Sequence, residues 1–268
     1  MKIFTAGKTD FPAVKPFHFF VQEAETTDSP QTQLDHHIHP ECEIYINLSG
    51  DVAFMVGDRV YAVEPGDVIL SRPHEYHQCI YRGQTQHRHI WILFSCEGNE
   101  ALFAPLLERS GRIVLTQENQ RQLVAVCRAL GDGTAEPLEQ YRLFFKLTAL
   151  LLSGTVPAAG GDAVLPVDVV RVMELIDRDI AAPLTVREMA AAVHLSVNTL
   201  ERHFRQAMQI SPSEYLQIKR LAAARELLAQ GHSVQETCEI CGFSDYSHFI
   251  TLFRRHFGVT PLKYRKRM

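Results

Sequence analysis

From Leu184 to Arg267 the chain contains the same unit twice. When Thr185-Val186-Arg187-Glu188 is laid over Ser233-Val234-Gln235-Glu236, the Val and the Glu coincide, and Ser196 falls on Ser244. With one extra residue in the second copy, Phe204-Arg205 falls on Phe253-Arg254, Ser211-Pro212 on Thr260-Pro261 and Tyr215 on Tyr264. The offset is 48 residues before that insertion and 49 after it. Internal repetition constrains architecture more than any local propensity, and two copies mean a duplicated small unit rather than a solenoid.

Each copy reads as helix-turn-helix, over about 185–205 and 233–254. Thr185 with Glu188, and Ser233 with Glu236, have the spacing of a capping box, in which side chain and backbone at a helix start satisfy each other. Met189, Ala190 and Val193 follow the first box at helical spacing. Val234, Thr237, Cys238 and Cys241 mark the apolar side of the second. Gly242 supplies a turn where a positive φ costs nothing. Ser196 and Ser244 are expected to cap the second helices, which bury Leu200 with Phe204 and Phe249 with Phe253 at i and i+4.

A second helix of this kind enters the major groove of DNA, so its polar face carries the contacts. In copy one these are Asn198, Thr199, Glu201, Arg202 and Arg205. In copy two they are Tyr246, Ser247, His248, Thr251, Arg254 and Arg255. Amide and guanidinium groups can read base edges, whereas Arg near a helix end more often holds phosphate. The competing reading is an ordinary solvated helix face, which two copies in register disfavour.

Gly242-Phe243-Ser244-Asp245-Tyr246-Ser247-His248-Phe249 and Phe253-Arg254-Arg255-His256-Phe257-Gly258-Val259-Thr260-Pro261 closely resemble the signature of AraC-type bacterial transcription regulators. Arg220-Leu221-Ala222-Ala223-Ala224-Arg225-Glu226-Leu227-Leu228 resembles that family's linking helix. The resemblance implies two helix-turn-helix units held by one helix, reading successive major grooves of double-stranded promoter or operator DNA. That family often has Arg where this chain has Thr251.

Net charge is −4. Residues 166–268 hold 14 Lys+Arg against 11 Asp+Glu, and residues 1–165 hold 13 against 20. The asymmetry fits a basic DNA-binding part joined to an acidic part with another task. No run of 18 apolar residues suggests a membrane span, and Met1-Lys2-Ile3-Phe4-Thr5 lacks the apolar core of a signal peptide. The expectation is a cytoplasmic bacterial protein without membrane contact. Its six cysteines (Cys42, Cys79, Cys96, Cys127, Cys238, Cys241) then stay reduced. Cys238-x-x-Cys241 has the spacing of a redox or metal pair. With no second pair to complete a zinc site, both read better as small apolar residues inside the second unit.

Residues 1 to about 115 show short apolar runs between turn signals. Strands are expected at Phe17–Gln22, Glu43–Leu48, Val52–Val56, Arg59–Val63, Val68–Ser71, Gln78–Tyr81 and His89–Phe94. Ser49-Gly50-Asp51, Gly57-Asp58 and Pro65-Gly66-Asp67 are turns. The series suggests a jelly roll or small barrel. His37-x-His39-x-x-x-Glu43, with Pro65-Gly66-Asp67 and Pro73-x-x-x-His77, resembles the two cupin motifs. That resemblance implies that His37, His39, Glu43 and His77 hold one divalent metal, and imidazole with carboxylate suits zinc, nickel, iron or manganese. The second motif matches in part, because Tyr81 stands where an Asn is usual. On a single strand, residues two apart share a face, which would aim His37, His39 and Glu43 inward together. Equally, these polar groups can bind an organic effector or satisfy one another with no cofactor. His36, His74, His87 and His89 read as surface or loop residues.

Gln117–Leu130 and Glu136–Leu152 read as amphipathic helices packing on the barrel. In AraC-type regulators such helices often form a homodimer interface. Gly154 to Pro166 is rich in small and breaker residues.

The fold expected is therefore α+β in two domains: a cupin-like β-barrel (jelly roll) with two following helices over 1–153, a linker over 154–166, and an all-α domain of two helix-turn-helix units over 167–268. The expected function is a DNA-binding transcriptional regulator, not an enzyme, that senses a small-molecule effector. It would engage RNA polymerase if it activates. Two alternatives stay open: a metal-dependent cupin enzyme fused to a DNA-binding domain, and a regulator whose barrel serves only oligomerisation.

Overall fold

The computed structural model describes residues 14–26, 36–81, 86–157 and 163–266, with the side chains of 26, 36, 37 and 81 outside the description. Among the described residues there are ten strands and ten helices. The strands are β1 (Phe19–Thr26), β2 (His36–His37), β3 (Cys42–Ser49), β4 (Val52–Val56), β5 (Arg59–Val63), β6 (Val68–Ser71), β7 (His77–Tyr81), β8 (His87–Phe94), β9 (Gly111–Ile113) and β10 (Ala163–Val164). They form two five-stranded sheets, ordered β1-β8-β3-β6-β9 and β10-β5-β4-β7-β2. Among the described residues the pairings of these strands are antiparallel, and the chain crosses between sheets after β1, β2, β3, β5, β6, β7 and β9, as in a jelly roll. The sheets stay open. Among the described residues no ladder closes them into the barrel that the sequence suggests, since the edge strands β2 and β10 are only two residues long.

Side chains on a strand alternate between faces, and the first sheet uses its two faces differently. Ile44, Ile46, Ile90 and Ile92 point to one side, where they are buried against Leu123, Val126, Leu143 and Leu147. These last belong to α2 (Gln117–Gly131) and α3 (Pro137–Ser153), which follow the short α1 (Glu100–Leu107). The α2 and α3 stripes are thus core. On the other side Glu43, Tyr45, Asn47 and His89 are buried between the sheets. Tyr45 meets Phe54 of the second sheet with ring centroids 4.9 Å apart. Between the sheets polar groups thus share the interior with an apolar cluster of Val52, Phe54, Val63 and Ile69, whereas the side under the helices is apolar.

The remaining helices are α4 (Val167–Arg178), α5 (Val186–Ala192), α6 (Val197–Met208), α7 (Pro212–Ala229), α8 (Val234–Ile240), α9 (Tyr246–Phe257) and α10 (Pro261–Arg265). Both expected capping boxes form, at Thr185 with Glu188 and at Ser233 with Glu236, and a third forms at Ser211 with Glu214. Each box is worth on the order of 1 kcal/mol. Ser196 caps α6 as expected. The cap of α9 is Asp245 rather than Ser244, its carboxylate accepting from the His248 amide at 2.9 Å. The extra residue of the second copy thus lies in the turn before α9.

Helix α7 runs between the two units and touches both. Its Arg220 donates to the carbonyls of Ile180 and Ala182 at 2.7 Å each and lies over the Phe243 ring. The helical part also packs on the second sheet: Ile38, Met55 and Tyr76 share a core with Val169, Val172 and Tyr215. Within the segment expected to link the domains, Ala163–Val164 pairs with β5 and the Leu165 amide donates to the Asp58 carbonyl at 2.9 Å.

Candidate functional site

Two surfaces carry the residues singled out from the sequence. The first is the polar side of α6 and α9. Burial of Leu200, Phe204 and Met208 on α6, and of Phe249 and Phe253 on α9, turns the opposite side of each helix outward. Asn198, Arg202 and Arg205 are exposed on α6, with Thr199 and Glu201 half-buried beside them. Ser196 and Thr199 share a hydroxyl hydrogen bond of 2.8 Å at its N-terminus. On α9, Tyr246, Ser247, His248, Thr251, Arg254 and Arg255 are all exposed. The Thr251 hydroxyl donates to the Ser247 carbonyl at 2.9 Å, so it serves its own helix. Arg255 does not face wholly outward with Arg254: it borders a cavity on the N-terminal side.

The second surface is inside the sandwich. His39, Glu43 and His77 bring one ligand atom each to within 4.8 Å of one another, and all three residues are buried. The Nε2 atoms of His39 and His77 lie 3.2 and 3.4 Å from the same Glu43 oxygen. The Nδ1 atoms point the other way, 2.9 Å from the carbonyls of Glu41 and Glu75. A neutral imidazole that donates from Nδ1 leaves a lone pair on Nε2. Two such lone pairs and a carboxylate oxygen facing one point form the donor set of a divalent cation. A second ring nitrogen tied to a carbonyl is the usual outer support of a metal-bound His.

The route to this cluster differs from the one-strand reading. Pro40, which has no N–H to give a ladder, interrupts the chain between β2 and β3. His39 therefore sits between the strands just before a bend at Pro40–Glu41, Glu43 in β3 of one sheet, and His77 in β7 of the other. His37 pairs with His77 across β2 and β7, and its side chain lies outside the described residues.

The sequence assigned His87 and His89 to the surface. Both are buried in β8 instead, because this strand aims odd-numbered positions into the sandwich. His89 stacks on Tyr45 at 5.1 Å, and burial holds its imidazole below the ordinary pKa. The alternation of Ile90 and Ile92 with His89 and Trp91 was the available signal. The structure also brings together Cys42 and Cys96, with sulfurs 2.8 Å apart, which no spacing pattern announces. Cys238 and Cys241 are buried inside the second unit, as the apolar reading has it.

Between the sandwich and the helices lies a cavity of about 500 Å³. Ile38, His39, Glu43, Trp91 and Leu93 form one wall; residues of α7 and α9, including Leu221, Arg225, Leu252 and Arg255, form the other. Two ion pairs join α7 to the N-terminal part, one of them from Arg225 of the cavity wall. Arg225 on α7 reaches Glu41 at 3.4 Å, and Glu226 reaches His74 at 2.9 Å. The hydrogen bond that His74 donates to the Glu226 carboxylate raises the His74 pKa, against burial and the nearby Lys219 and Arg225. Its contribution is thus full at low pH and is lost as pH climbs through the raised value.

Comparison with known proteins defines the class. Residues 19–147 match the family described as AraC-like ligand binding domain, and residues 189–267 match a helix-turn-helix domain. The chain is 30% identical over 254 residues to the HTH-type transcriptional activator RhaS of Salmonella agona (strain SL483), covering 88% of this chain and 89% of that protein. Among solved structures it is similar to an AraC-type transcriptional regulator from Chromobacterium violaceum, with 35% identity over 37% of this chain and 90% of that one at a TM-score of 0.35. It is also similar to ToxT from Vibrio cholerae O395, with 13% identity over 93% and 97% of the two chains at a TM-score of 0.40. This chain belongs to the AraC family: it is a DNA-binding transcriptional regulator with an AraC-like ligand-binding domain. Among the described residues no helix is long and apolar enough to cross a membrane.

Proposed function

We propose that this regulator reads DNA with α6 and α9 and senses a small molecule in the N-terminal sandwich, where His39, Glu43 and His77 hold one divalent cation. The carrying observation for DNA is the matched pair of capped helices, each with an apolar inner and a polar outer side. Asn198 and Arg202 read base edges; Arg205 and Arg254 hold phosphate. Selection of operators from randomised DNA by the full-length protein tests this. Asn198→Ala with Arg202→Ala should abolish enrichment of a shared sequence. Enrichment equal to that of the parent chain would sink the reading.

For the cation, the carrying observation is the orientation of both imidazoles, with Nδ1 on a carbonyl and Nε2 on Glu43. Zinc, nickel, iron and manganese all suit such donors. A bound ion would supply Lewis-acid positions for effector atoms. Elemental analysis of protein purified without an affinity tag should give one ion per chain, lost in His39→Ala/His77→Ala. No ion in either protein would leave an organic effector with no cofactor.

The division into 1–153, 154–166 and 167–268 remains part of this proposal, and a fragment from Pro166 to Met268 should fold and bind DNA. The chain acts as a regulator rather than an enzyme, in the cytoplasm. We further propose a homodimer through the outer side of α2 and α3, where Leu138 is 83% exposed, and contact with RNA polymerase when the chain activates. Sedimentation of Leu138→Glu, as monomer or dimer, checks the interface.

A further inference from the structure

The cavity between the sandwich and the DNA-binding helices shares two of its wall residues, His39 and Glu43, with the cation cluster. A cation held by three protein atoms keeps positions open for other ligands, and here they open toward that cavity. Its volume of about 500 Å³ suits one small organic molecule.

Charge narrows the class of molecule. The charged groups lining the cavity are Glu43 and Glu214 against Arg225 and Arg255. These cancel. A divalent cation at His39, Glu43 and His77 leaves two positive charges in surplus, which calls for an anion. Arg225 already meets Glu41 and lies over the Phe257 ring. Among the described residues Arg255 has no ion-pair partner, so it is the cation available to an incoming charge. Trp91, Leu93, Leu221 and Leu252 supply apolar surface between the two charged ends.

We infer that this cavity takes a small metal-chelating organic anion, whose donor atoms complete the cation on His39, Glu43 and His77 and whose body reaches α9 at Arg255. The inference rests on the cation reading above and adds the class of effector and its place. It also gives the signal a route. The occupant touches β8 of the sensing part and α9 of the second DNA-reading unit at once, so it binds one arrangement of the two better than another.

Trp91 is the only tryptophan in the chain and lines the cavity, so its emission reports on occupancy. The full-length protein is loaded with zinc and titrated with 2-picolinate, a chelating aromatic carboxylate. Nicotinate, its isomer of equal size and charge that cannot chelate, is the control. The expected result is a saturable change in Trp91 emission with picolinate, at least tenfold weaker with nicotinate, while zinc stays on the protein through dialysis. Arg255→Gln should weaken picolinate about tenfold with zinc stoichiometry unchanged. Equal responses to the two isomers, loss of zinc to free picolinate, or an unaltered Arg255→Gln titration overturns the inference and leaves the cation reading standing. Failure of the parent chain to retain zinc before any picolinate is added removes both.

Discussion

The two helix-turn-helix units are capped by side chains at the same two helix starts and share the same apolar spacing, yet their turns obey different rules. In the first, the residue that takes the left-handed conformation is His194, with φ 58°. In the second it is Gly242, with φ 74°. His194 is exposed, so its side chain extends into water and only the backbone preference is set against it. Gly242 lies against the loop that follows α4. A Cβ there would stand 2.5 Å from the Ala181 carbonyl oxygen and 2.8 Å from the Ala181 Cα. One backbone conformation is thus tolerant in one copy and restricted in the other, because the second turn docks on the first unit. The copies differ again on their reading helices: Arg202 stands in α6 where Thr251 stands in α9.

The largest effect should come from breaking this docking. Gly242→Ala carries about 1–2 kcal/mol for the left-handed backbone alone, and the overlap with Ala181, which is backbone and cannot swing aside, adds to it. Thermal unfolding should show a large loss of stability, and a melting curve within a degree of the parent would refute the close approach. Next in size, Arg202→Ala should weaken specific DNA binding by ~1–3 kcal/mol while Thr251→Ala changes it little. Equal losses from both, measured by titration against a selected operator, would erase the proposed asymmetry between the reading helices. Thr251→Arg sharpens the same contrast from the other side. It should tighten binding or change base preference in the half of the site under α9, and selection from randomised DNA would detect either. The smallest effect belongs to His194→Gly. Relief of the left-handed backbone and the greater freedom of Gly in the unfolded chain oppose each other. The net change should stay below about 1 kcal/mol in denaturant unfolding, in contrast to Gly242→Ala.

Much of the helical half was legible because its signals are local. A capping box needs only Thr185 and Glu188, three residues apart, and the buried side of α6 needs only Leu200 and Phe204. Where the reading slipped, the slip was also local: Ser244 lost the cap to Asp245, because the extra residue of the second copy sits in the turn. The strand half was legible in its alternation but not in its partners. Val52–Val56, Arg59–Val63 and Val68–Ser71 have the bounds expected of them. β9 and β10 were missed, since strands of three and two residues carry no periodicity.

The candidate cation site shows the same division. The motif named His39, Glu43 and His77, but placed the first two with His37 on one strand. Pro40 makes them neighbours across a bend instead, and β7 carries His77 in from the opposite sheet. The burial of His87 and His89 had a local sign in the alternation of β8, but the approach of Cys42 to Cys96 and the cavity walled by both halves of the chain have none.

By itself, then, the sequence determined the duplicated unit, its caps and apolar faces, and the alternation of the strands. Each depends on residues within one or two turns or one strand. Only the tertiary structure decided which polar side chains converge, which turn glycine is indispensable, and what lies between the sandwich and the helices. Those follow from the register of strands and helices distant in sequence, and that register is fixed by long-range packing as a whole.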